Sequence, residues 1–330
     1  MRRALVTGAT GGLGRTLVPM LVRAGYDVTA TGRNAAVERE LTTSGARFIA
    51  ADLVGGLLHS LVRQHDVVFH LAALSSPWGR AADFAAINVQ ATQALIDAAR
   101  ERGCDAFIYA STPSIYASPQ DRLGLVETSA VAKPFANDYA ATKYAAEQLV
   151  LSANSPAFRT VALRPRAIVG PHDTVLLPRL LRAARRGRMP LPNGGRALIE
   201  LTDVRDAAAA FLAADQHLAR AAGRAVNISG GQPRRLDELL RRIFARRGMS
   251  VRLVPVPARL ALSAARMMEL ICAALPGRPE PPATRYTVMS LAYSQTFDLS
   301  AAHELLGWAP RFSPEEAIDA AIGTAGGKPQ

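Results

Sequence analysis

Cysteine and histidine, the residues that would signal a disulfide scaffold or a metal site, are scarce in this 330-residue chain. Cys104 and Cys272 are too few for a disulfide framework, and neither belongs to a Cys-x-x-Cys pair. The six histidines show no His-x-x-x-His spacing, so we predict no metal site. No apolar run reaches the ~18 uncharged residues of a transmembrane helix. The most apolar late stretch, 260–275, is interrupted by Arg266 and Glu269.

Lysine is almost absent, although the formal net charge is +12. Only Lys133, Lys143 and Lys328 are lysines, and every other basic residue is an arginine. This bias extends along the whole chain, whereas a nucleic-acid-binding protein concentrates positive charge on one face. We therefore expect no nucleic-acid partner. Two arginine-rich stretches, 179–188 and 234–252, are expected to be solvated helix faces, which leaves open an anionic substrate or a peripheral membrane contact.

Short apolar runs alternate with helical patterns over the first half of the chain. The predicted strands are 3–7, 26–31, 47–50, 67–71, 107–111 and 161–164, and the main predicted helices between them are 12–24, 81–102 and 139–152. Such alternation predicts a Rossmann-type doubly wound parallel sheet with helices on both faces. The pattern loosens after Pro165. We expect a first domain over 1–165, with its sheet completed by parts of 200–230, and mainly a smaller substrate-binding lobe over 166–330.

A glycine-rich turn follows the first predicted strand. The segment Thr7-Gly-Ala-Thr-Gly-Gly-Leu-Gly14 opens an amphipathic helix, so its glycines allow a tight turn and close approach of a pyrophosphate to the backbone. The free N–H groups of a helix N-terminus would then bind the phosphates of a dinucleotide. The predicted contacts in this turn are Gly8, Thr10, Gly11, Gly12, Leu13 and Gly14.

The residues at the ends of the next strands bear on the choice of cofactor. Strand two ends in Gly32-Arg33, without the acid that usually holds the ribose hydroxyls of NAD. Arg33 could instead meet a 2′-phosphate, so we favour NADP(H) and keep NAD(H) open. Asp52 and Leu53 follow strand three, where an acid could bond the adenine amino group. Leu71, Ala72 and Ala73 end strand four and would let the cofactor lie against the backbone.

The chemistry is predicted to lie where strand five ends and the 139–152 helix begins. Tyr139 and Lys143 are four residues apart and share a helical face. A neighbouring ammonium and a cationic nicotinamide would lower the phenol pKa, so that the phenol exchanges a proton with a substrate oxygen. Ser111 and Thr112 both follow strand five and are candidates for holding that oxygen; Ser111 would also lie at the cofactor.

These motifs occur together and in order with Tyr-x-Ser-Thr-x-Ser-x-Tyr from residue 109 and Leu-Arg-Pro-Arg-Ala-Ile-Val-Gly-Pro from residue 163. The chain thereby resembles the extended short-chain dehydrogenase/reductase superfamily. The resemblance implies Thr112, Tyr139 and Lys143 as catalytic residues, Asn88 as the residue that braces the site, and Pro165 and Ile168 as nicotinamide contacts. Asn88, Tyr139 and Lys143 are also expected to contact the cofactor. Within the superfamily it is similar to the 3β-hydroxysteroid dehydrogenase-like branch and to bacterial 2-alkyl-3-oxoalkanoate reductases.

The leading functional hypothesis is hydride transfer at a secondary alcohol or ketone of a bulky apolar small molecule, such as a sterol or a β-keto acid. Leu176, Leu177, Met189 and 260–275 could line the pocket. Arg166 and His172 would suit a substrate carboxylate, or could be exposed loop residues.

Two other functions stay open at this stage. A nucleotide-sugar epimerase or dehydratase of the same superfamily needs a diphosphate clamp, for which Arg196 and Arg234 could serve. A catalytically inactive NADP(H)-sensing regulator would often lack the tyrosine or the lysine, and both are present here. The N-terminus carries the glycine turn in place of a secretory signal, so we expect a cytoplasmic location, and the sequence leaves open a homodimer.

Overall fold

Seven parallel strands form the main sheet of this computed structural model, which describes residues 1–55, 58–62, 65–185 and 187–324. They are β1 (Arg3–Thr7), β2 (Asp27–Gly32), β3 (Arg47–Ala50), β4 (Val67–His70), β5 (Ala106–Ala110), β7 (Arg159–Pro165) and β12 (Arg224–Ile228). The strand order is β12-β7-β5-β4-β1-β2-β3, and all neighbours are parallel. The predicted Rossmann-type fold class is confirmed.

Helices cover the sheet because its central strands are apolar on both sides. Strand β4 is buried at every position, as a twice-covered sheet requires. The helices of the chain are α1 (Gly12–Arg23), α2 (Glu38–Thr43), α3 (Leu58–Leu61), α4 (Ala81–Phe84), α5 (Ala91–Glu101), α6 (Asp138–Ser152), α7 (Leu176–Ala184), α8 (Val204–Gln216), α9 (Leu218–Ala221), α10 (Leu236–Arg246), α11 (Ala258–Ala274), α12 (Arg285–Ala292), α13 (Ser300–Leu306) and α14 (Pro314–Thr324).

The helix predicted over 81–102 is interrupted. A π-helical turn, Ala85–Gln90, separates α4 from α5. A π-helical turn inserts an extra residue into a helix and often occurs at functional sites. Here it carries Asn88, whose side chain leaves the helix to bond elsewhere in the chain. The apolar periodicity that predicted one continuous helix contains no signal for this insertion.

Short strands build the second lobe. They are β6 (Arg122–Leu125), β8 (Ile168–Val169), β9 (Arg188–Pro192), β10 (Leu198–Ile199), β11 (Thr202–Asp203), β13 (Arg234–Arg235), β14 (Arg252–Val256) and β15 (Gln295–Phe297). One sheet has the order β13-β10-β15-β6, while β8 pairs with β11 and β9 with β14. A separate apolar core joins α7, α10 and α14 in this lobe.

The chain returns to the first core after residue 165. Helix α8 packs against α1, and Ala302, Leu306 and Trp308 from the C-terminal part join the same cluster. The Trp308 Nε1 group donates to the Asp206 carbonyl at 3.1 Å, which ties the segment after α13 to α8. The domain boundary at 165 stays a prediction, because β12, from the second half of the sequence, belongs to the main sheet.

Candidate active site

A cavity of about 1190 Å³ lies at the carboxyl edge of the main sheet. This is the edge at which open α/β sheets bind ligands. Pockets for one small molecule usually measure roughly 300–1,000 Å³, so this cavity has room for a cofactor and a second molecule. The cofactor residues predicted from sequence that line it are Gly8, Thr10, Gly11, Gly12, Leu13, Gly14, Arg33, Asp52, Leu53, Leu71, Ala72, Ala73, Ser111, Tyr139, Lys143, Pro165 and Ile168.

The turn between β1 and α1 has the backbone geometry of a phosphate-binding loop. Gly8 adopts a φ of +66°, and a Cβ there would lie 2.6 Å from the Ala72 nitrogen. A Cβ on Gly14 would lie 2.5 Å from the Cα of Ala9, so the helix packs too closely on the loop for any side chain. No side chain caps the N-terminus of α1 at Gly11. Its free N–H groups therefore suit the phosphates of a dinucleotide.

Arg33 and Asp52 lie at the far end of this cavity. The Arg33 side chain is 69% exposed, and its guanidinium is 4.0 Å from the Asp52 carboxylate. This separation leaves the guanidinium fork without a close partner on Asp52, so it remains able to bind an anion. The position of Arg33 beside the glycine turn is compatible with a 2′-phosphate, and the NADP(H) preference stays a prediction.

The hydroxyls of Ser111 and Thr112 follow β5 but have different partners. The Ser111 hydroxyl donates to the buried carboxylate of Glu147 at 2.6 Å. The Thr112 hydroxyl lies beside the Tyr139 phenol and 2.9 Å from the Ser114 hydroxyl. Of the two candidates, Thr112 is therefore the one placed to share a substrate oxygen with Tyr139.

Tyr139 is in the first turn of α6, which begins after the N-cap Asn137. The Asn137 side chain accepts a hydrogen bond from the Ala140 N–H at 2.9 Å and fixes that turn. Burial raises the pKa of the Tyr139 phenol, whereas hydrogen bonds with Thr112 and Ser75 act to lower it. Lys143 is not among the groups that shift the pKa of this phenol here, so the lowering expected from Lys143 and a cationic nicotinamide stays a prediction.

Lys143 lies one turn further along α6 and is only 2% exposed. Its ammonium donates to the Ala110 carbonyl and lies 4.0 Å from the centre of the Tyr109 ring. Burial lowers the pKa of Lys143 to about 7, and Glu147 opposes that shift. A lysine that is this deeply buried gives up its proton far more readily than an exposed one.

Asn88 does not line the cavity, and its hydrogen bonds agree with the bracing role that the resemblance implies, while a contact with the cofactor stays a prediction. Its Oδ1 accepts from the Leu74 N–H at 2.8 Å, and its Nδ2 donates to the Thr142 hydroxyl at 3.1 Å. Both the oxygen and the nitrogen of this amide are thus hydrogen-bonded to other protein groups. Asn88 therefore joins the loop after β4 to α6 and holds Leu74 and Thr142 in place.

A buried ion pair between α6 and β7, which the sequence did not reveal, lies next to the site. Arg164 on β7 donates to both oxygens of Glu147 on α6, at 2.8 Å and 2.6 Å. The Glu147 side chain is 0% exposed. Because Ser111 bonds the same carboxylate, this pair connects α6 and β7 to the strand end that carries Thr112. The motif Leu-Arg-Pro contained Arg164, but its partner could not be identified without the fold.

The substrate side of the cavity carries both apolar and polar groups. The predicted residues Leu176, Leu177 and Met189 line it, as do Arg166 and His172. Tyr286 on α12 was not predicted; its hydroxyl lies 2.6 Å from that of Ser114. A single tyrosine so late in the chain carries no sequence signal for this position.

Other predicted pocket residues lie elsewhere. None of residues 260–275 lines the cavity, because the exposed side chains of α11 face away from the core. The guanidinium of Arg234 pairs with Glu315 at 3.2 Å, and the Arg196 Nε donates to the Asn193 carbonyl. Neither arginine lines the cavity, so neither is positioned as a diphosphate clamp.

The described part of the chain contains neither a cluster suited to a metal ion nor a helix able to cross a membrane. No group of three or more His, Cys, Asp or Glu side chains is arranged to hold a metal ion there. Within the same residues, every helix is too short or too polar to cross a bilayer.

Residues 4–229 match the model of the NAD dependent epimerase/dehydratase family. The chain is 35% identical over 324 residues to the 2-alkyl-3-oxoalkanoate reductase of Stenotrophomonas maltophilia (strain K279a), covering 96% of this chain and 97% of that one. It is 30% identical over 344 residues to 3beta-hydroxysteroid-dehydrogenase/decarboxylase isoform 2 of Arabidopsis thaliana, covering 96% and 61% of the two chains. Both relatives agree with the branch predicted from the sequence.

Among solved structures, the chain is similar to MoeE5 in complex with UDP-glucose and NAD. That likeness has a TM-score of 0.77 at 25% identity and covers 98% of each chain. The glycine turn and the cavity at the carboxyl edge therefore occur in a fold of which one member was solved with NAD.

Proposed function

The chain belongs to the NAD dependent epimerase/dehydratase family, and we propose that it transfers a hydride between a nicotinamide cofactor and a secondary alcohol or ketone of a bulky apolar substrate. It is an oxidoreductase of the extended short-chain dehydrogenase/reductase type. The observation that carries the proposal is one shared cavity: Thr112, Tyr139 and Lys143 line the space that the glycine turn also lines. Proton transfer and hydride transfer would thus act on one substrate carbon–oxygen bond.

Each polar residue would have a separate task at that bond. A nicotinamide held in this cavity would supply or accept the hydride. The Tyr139 phenol donates its proton to the carbonyl oxygen during reduction and takes it back during oxidation. The Thr112 hydroxyl holds the same oxygen, and Lys143, held by the Ala110 carbonyl, places a buried charge close to the reacting groups.

The apolar part of the cavity supports a bulky substrate. Leu176, Leu177, Met189 and Leu240 line it, together with Leu291 from α12. The names of the relatives, a 2-alkyl-3-oxoalkanoate reductase and a 3beta-hydroxysteroid-dehydrogenase/decarboxylase, describe substrates of this size and polarity. We extend to this chain the shared chemistry, which is a ketone or secondary alcohol beside a large hydrocarbon group.

We favour NADP(H) as the cofactor, with NAD(H) as the alternative. The exposed guanidinium of Arg33 supports this choice, because strand β2 ends without an acid for the ribose hydroxyls. The family model describes NAD dependence, whereas we propose the preference for NADP(H) for this chain in particular. A cytoplasmic location, a homodimer and a peripheral membrane contact stay predictions.

A nucleotide-sugar epimerase is the second candidate, since the family model includes epimerases. The two arginines predicted as its diphosphate clamp, Arg196 and Arg234, lie outside the cavity. We therefore rank this candidate below the dehydrogenase.

A substrate panel with both cofactors tests the proposal. Sterol ketones, 2-alkyl-3-oxo acids and UDP-sugars are each incubated with NADPH or NADH, and consumption of the reduced cofactor is followed by absorbance. We expect stoichiometric oxidation of free cofactor with an apolar ketone. Interconversion of UDP-sugars with a cofactor that stays bound, and no oxidation by any ketone, would instead support the epimerase.

A further inference from the structure

We propose that Arg166 binds a carboxylate that the substrate carries close to its reacting carbonyl, and so selects 3-oxo acids and 3-hydroxy acids over neutral ketones and alcohols. This inference rests on the proposed function and assigns a specificity-determining residue within it. Its experiment is designed so that the two can fail separately.

The Arg166 guanidinium is buried but unpaired. The residue is 8% exposed, and its Nε has no hydrogen-bond partner. Within the described part of the chain, no carboxylate forms an ion pair with it, whereas the neighbouring Arg164 is paired with Glu147. Arg166 lines the cavity, so a ligand bound there could supply the missing partner of its guanidinium.

Two hydrogen bonds fix the backbone of Arg166, whereas the Nε of its side chain has no hydrogen-bond partner. Its N–H donates to the Ile228 carbonyl at 2.8 Å, and its carbonyl accepts a hydrogen bond from the Thr202 hydroxyl. Arg166 directly follows β7, whose end also carries the predicted nicotinamide contact Pro165. The guanidinium is therefore presented from a fixed point at the carboxyl edge of the sheet.

Glu200 is the nearby acid, but it does not neutralise Arg166 through a direct contact. Its carboxylate accepts from the Ser229 hydroxyl and from the Phe297 N–H, the latter at 3.2 Å. Burial raises the pKa of Glu200, although Arg166 acts to lower it. Both carboxylate oxygens thus have partners other than the guanidinium.

Tyr286 relates Arg166 to the reacting groups. It lines the same cavity as Tyr139 and Arg166. Its hydroxyl also contacts Ser114, which in turn contacts Thr112. Because Arg166 directly follows β7 and lines the same cavity as Thr112 and Tyr139, a carboxylate bound to it fits a 3-oxo acid better than a group at the far end of a long chain.

The physical reason is the cost of an unpaired buried cation. A buried charge is stable only with an opposite charge and satisfied hydrogen bonds. A carboxylate satisfies a guanidinium with two parallel N–H···O bonds, which an ester or a ketone cannot reproduce. Arg166 would therefore discriminate against the uncharged analogue of the same shape.

The test compares a 2-alkyl-3-hydroxy acid with its methyl ester, both oxidised with NADP⁺ or NAD⁺. The hydride passes to the nicotinamide and the hydroxyl proton to Tyr139, so a ketone forms and the carboxylate is unchanged. Charged hydrogen bonds contribute roughly 1.5–3 kcal/mol, so we expect wild-type kcat/KM to favour the acid by about 10- to 100-fold.

Variants separate this role from a structural one. Arg166→Met should lose the preference for the acid, mainly through a higher KM, and Arg166→Lys should keep part of it. Arg241→Gln is the matched control, because Arg241 is exposed on α10 and outside the cavity; it should keep the wild-type preference.

Without substrate, Arg166→Met should unfold at a higher temperature than wild type, and a saturated 2-alkyl alkanoate should stabilise wild type only.

Equal kcat/KM values for acid and ester in wild type would overturn the inference, and so would an unchanged ratio in Arg166→Met. Turnover of both substrates in either case would leave the proposed function in place. If wild type oxidises neither substrate and reduces no ketone, the proposed function fails and the inference fails with it.

Discussion

The hydroxyl of Tyr286 lies 2.6 Å from that of Ser114, although 172 positions separate the two residues. Helix α12 thereby reaches the segment that follows β5, and Tyr286 lines the same cavity as Tyr139. Tyr286→Phe removes this hydrogen bond, whose contribution is about 0.5–1.5 kcal/mol. We expect a roughly 2- to 10-fold loss of kcat/KM for the substrate, measured by steady-state kinetics.

Tyr293→Phe is the control for that variant, since Tyr293 follows the same helix and does not line the cavity. The affinity for the cofactor should not change in Tyr286→Phe, because the residue lies on the substrate side. A larger effect on cofactor binding than on the substrate would contradict this placement.

Tyr139→Phe should abolish turnover and leave cofactor affinity nearly unchanged. The variant keeps the ring but lacks the proton that general acid catalysis needs, and such catalysis contributes about 10²- to 10⁴-fold. Steady-state rates and fluorescence titration with NADPH measure the two properties. Unaltered turnover would disprove the assigned role of the phenol.

Arg33→Ala should weaken NADP(H) binding and leave NAD(H) binding unaffected. The lost charge-assisted contact to a 2′-phosphate contributes about 1.5–3 kcal/mol, which corresponds to about 10- to 100-fold in Kd. Arg39→Ala, also exposed but outside the cavity, is the control. Equal effects on both cofactors, or none on either, would show that Arg33 does not bind the phosphate.

Arg164→Met should strongly destabilise the fold, because it leaves the Glu147 carboxylate buried without its cation. Breaking such a pair from one side costs about 3–5 kcal/mol, whereas replacing both partners by apolar groups costs much less. Urea unfolding of the single variant and of the Arg164→Met/Glu147→Met double variant measures the difference. If the double variant is less stable than the single one, the pair is not what holds α6 against β7.

His70 should make the fold sensitive to acid. Burial lowers the pKa of His70 from 6.5 to about 3, and Lys143 acts in the same direction. The neutral ring lies 2.7 Å from the Thr7 hydroxyl and 2.9 Å from that of Thr92. Its contribution to stability is therefore complete above pH 6.5 and is lost as the pH falls towards about 3, by up to roughly 1.4 kcal/mol for each pH unit.

His70→Gln should remove that part of the pH dependence. Urea unfolding at a series of pH values between 7 and 4 gives the slope for each protein. The control is His303→Gln, since His303 is exposed. An equal slope in wild type and His70→Gln would mean that the ring does not stay neutral in the folded protein.

The sequence predicted the fold and most of the cavity because these follow from local patterns. Strand-like runs such as Val67–His70 and the glycine turn at residues 7–14 determine where each strand ends, and parallel strands bring those ends to one edge. Residues that immediately follow the strands, such as Leu71, Ser111 and Arg166, could thus be placed at the cavity without coordinates. The bonding partners of Asn88 could not be placed in this way, since the direction of its side chain depends on a π-helical turn that apolar periodicity does not reveal.

The sequence by itself determined the order of elements, the edge that binds the cofactor and the types of residue available for proton transfer. Only the tertiary structure decided which groups are paired: Ser111 and Arg164 on Glu147, Thr112 beside Tyr139, and Arg166 on no carboxylate among the described residues. The physical reason is that strand and helix formation follows the periodicity of neighbouring residues. Burial and hydrogen bonding instead join side chains more than a hundred positions apart, such as Ser114 and Tyr286.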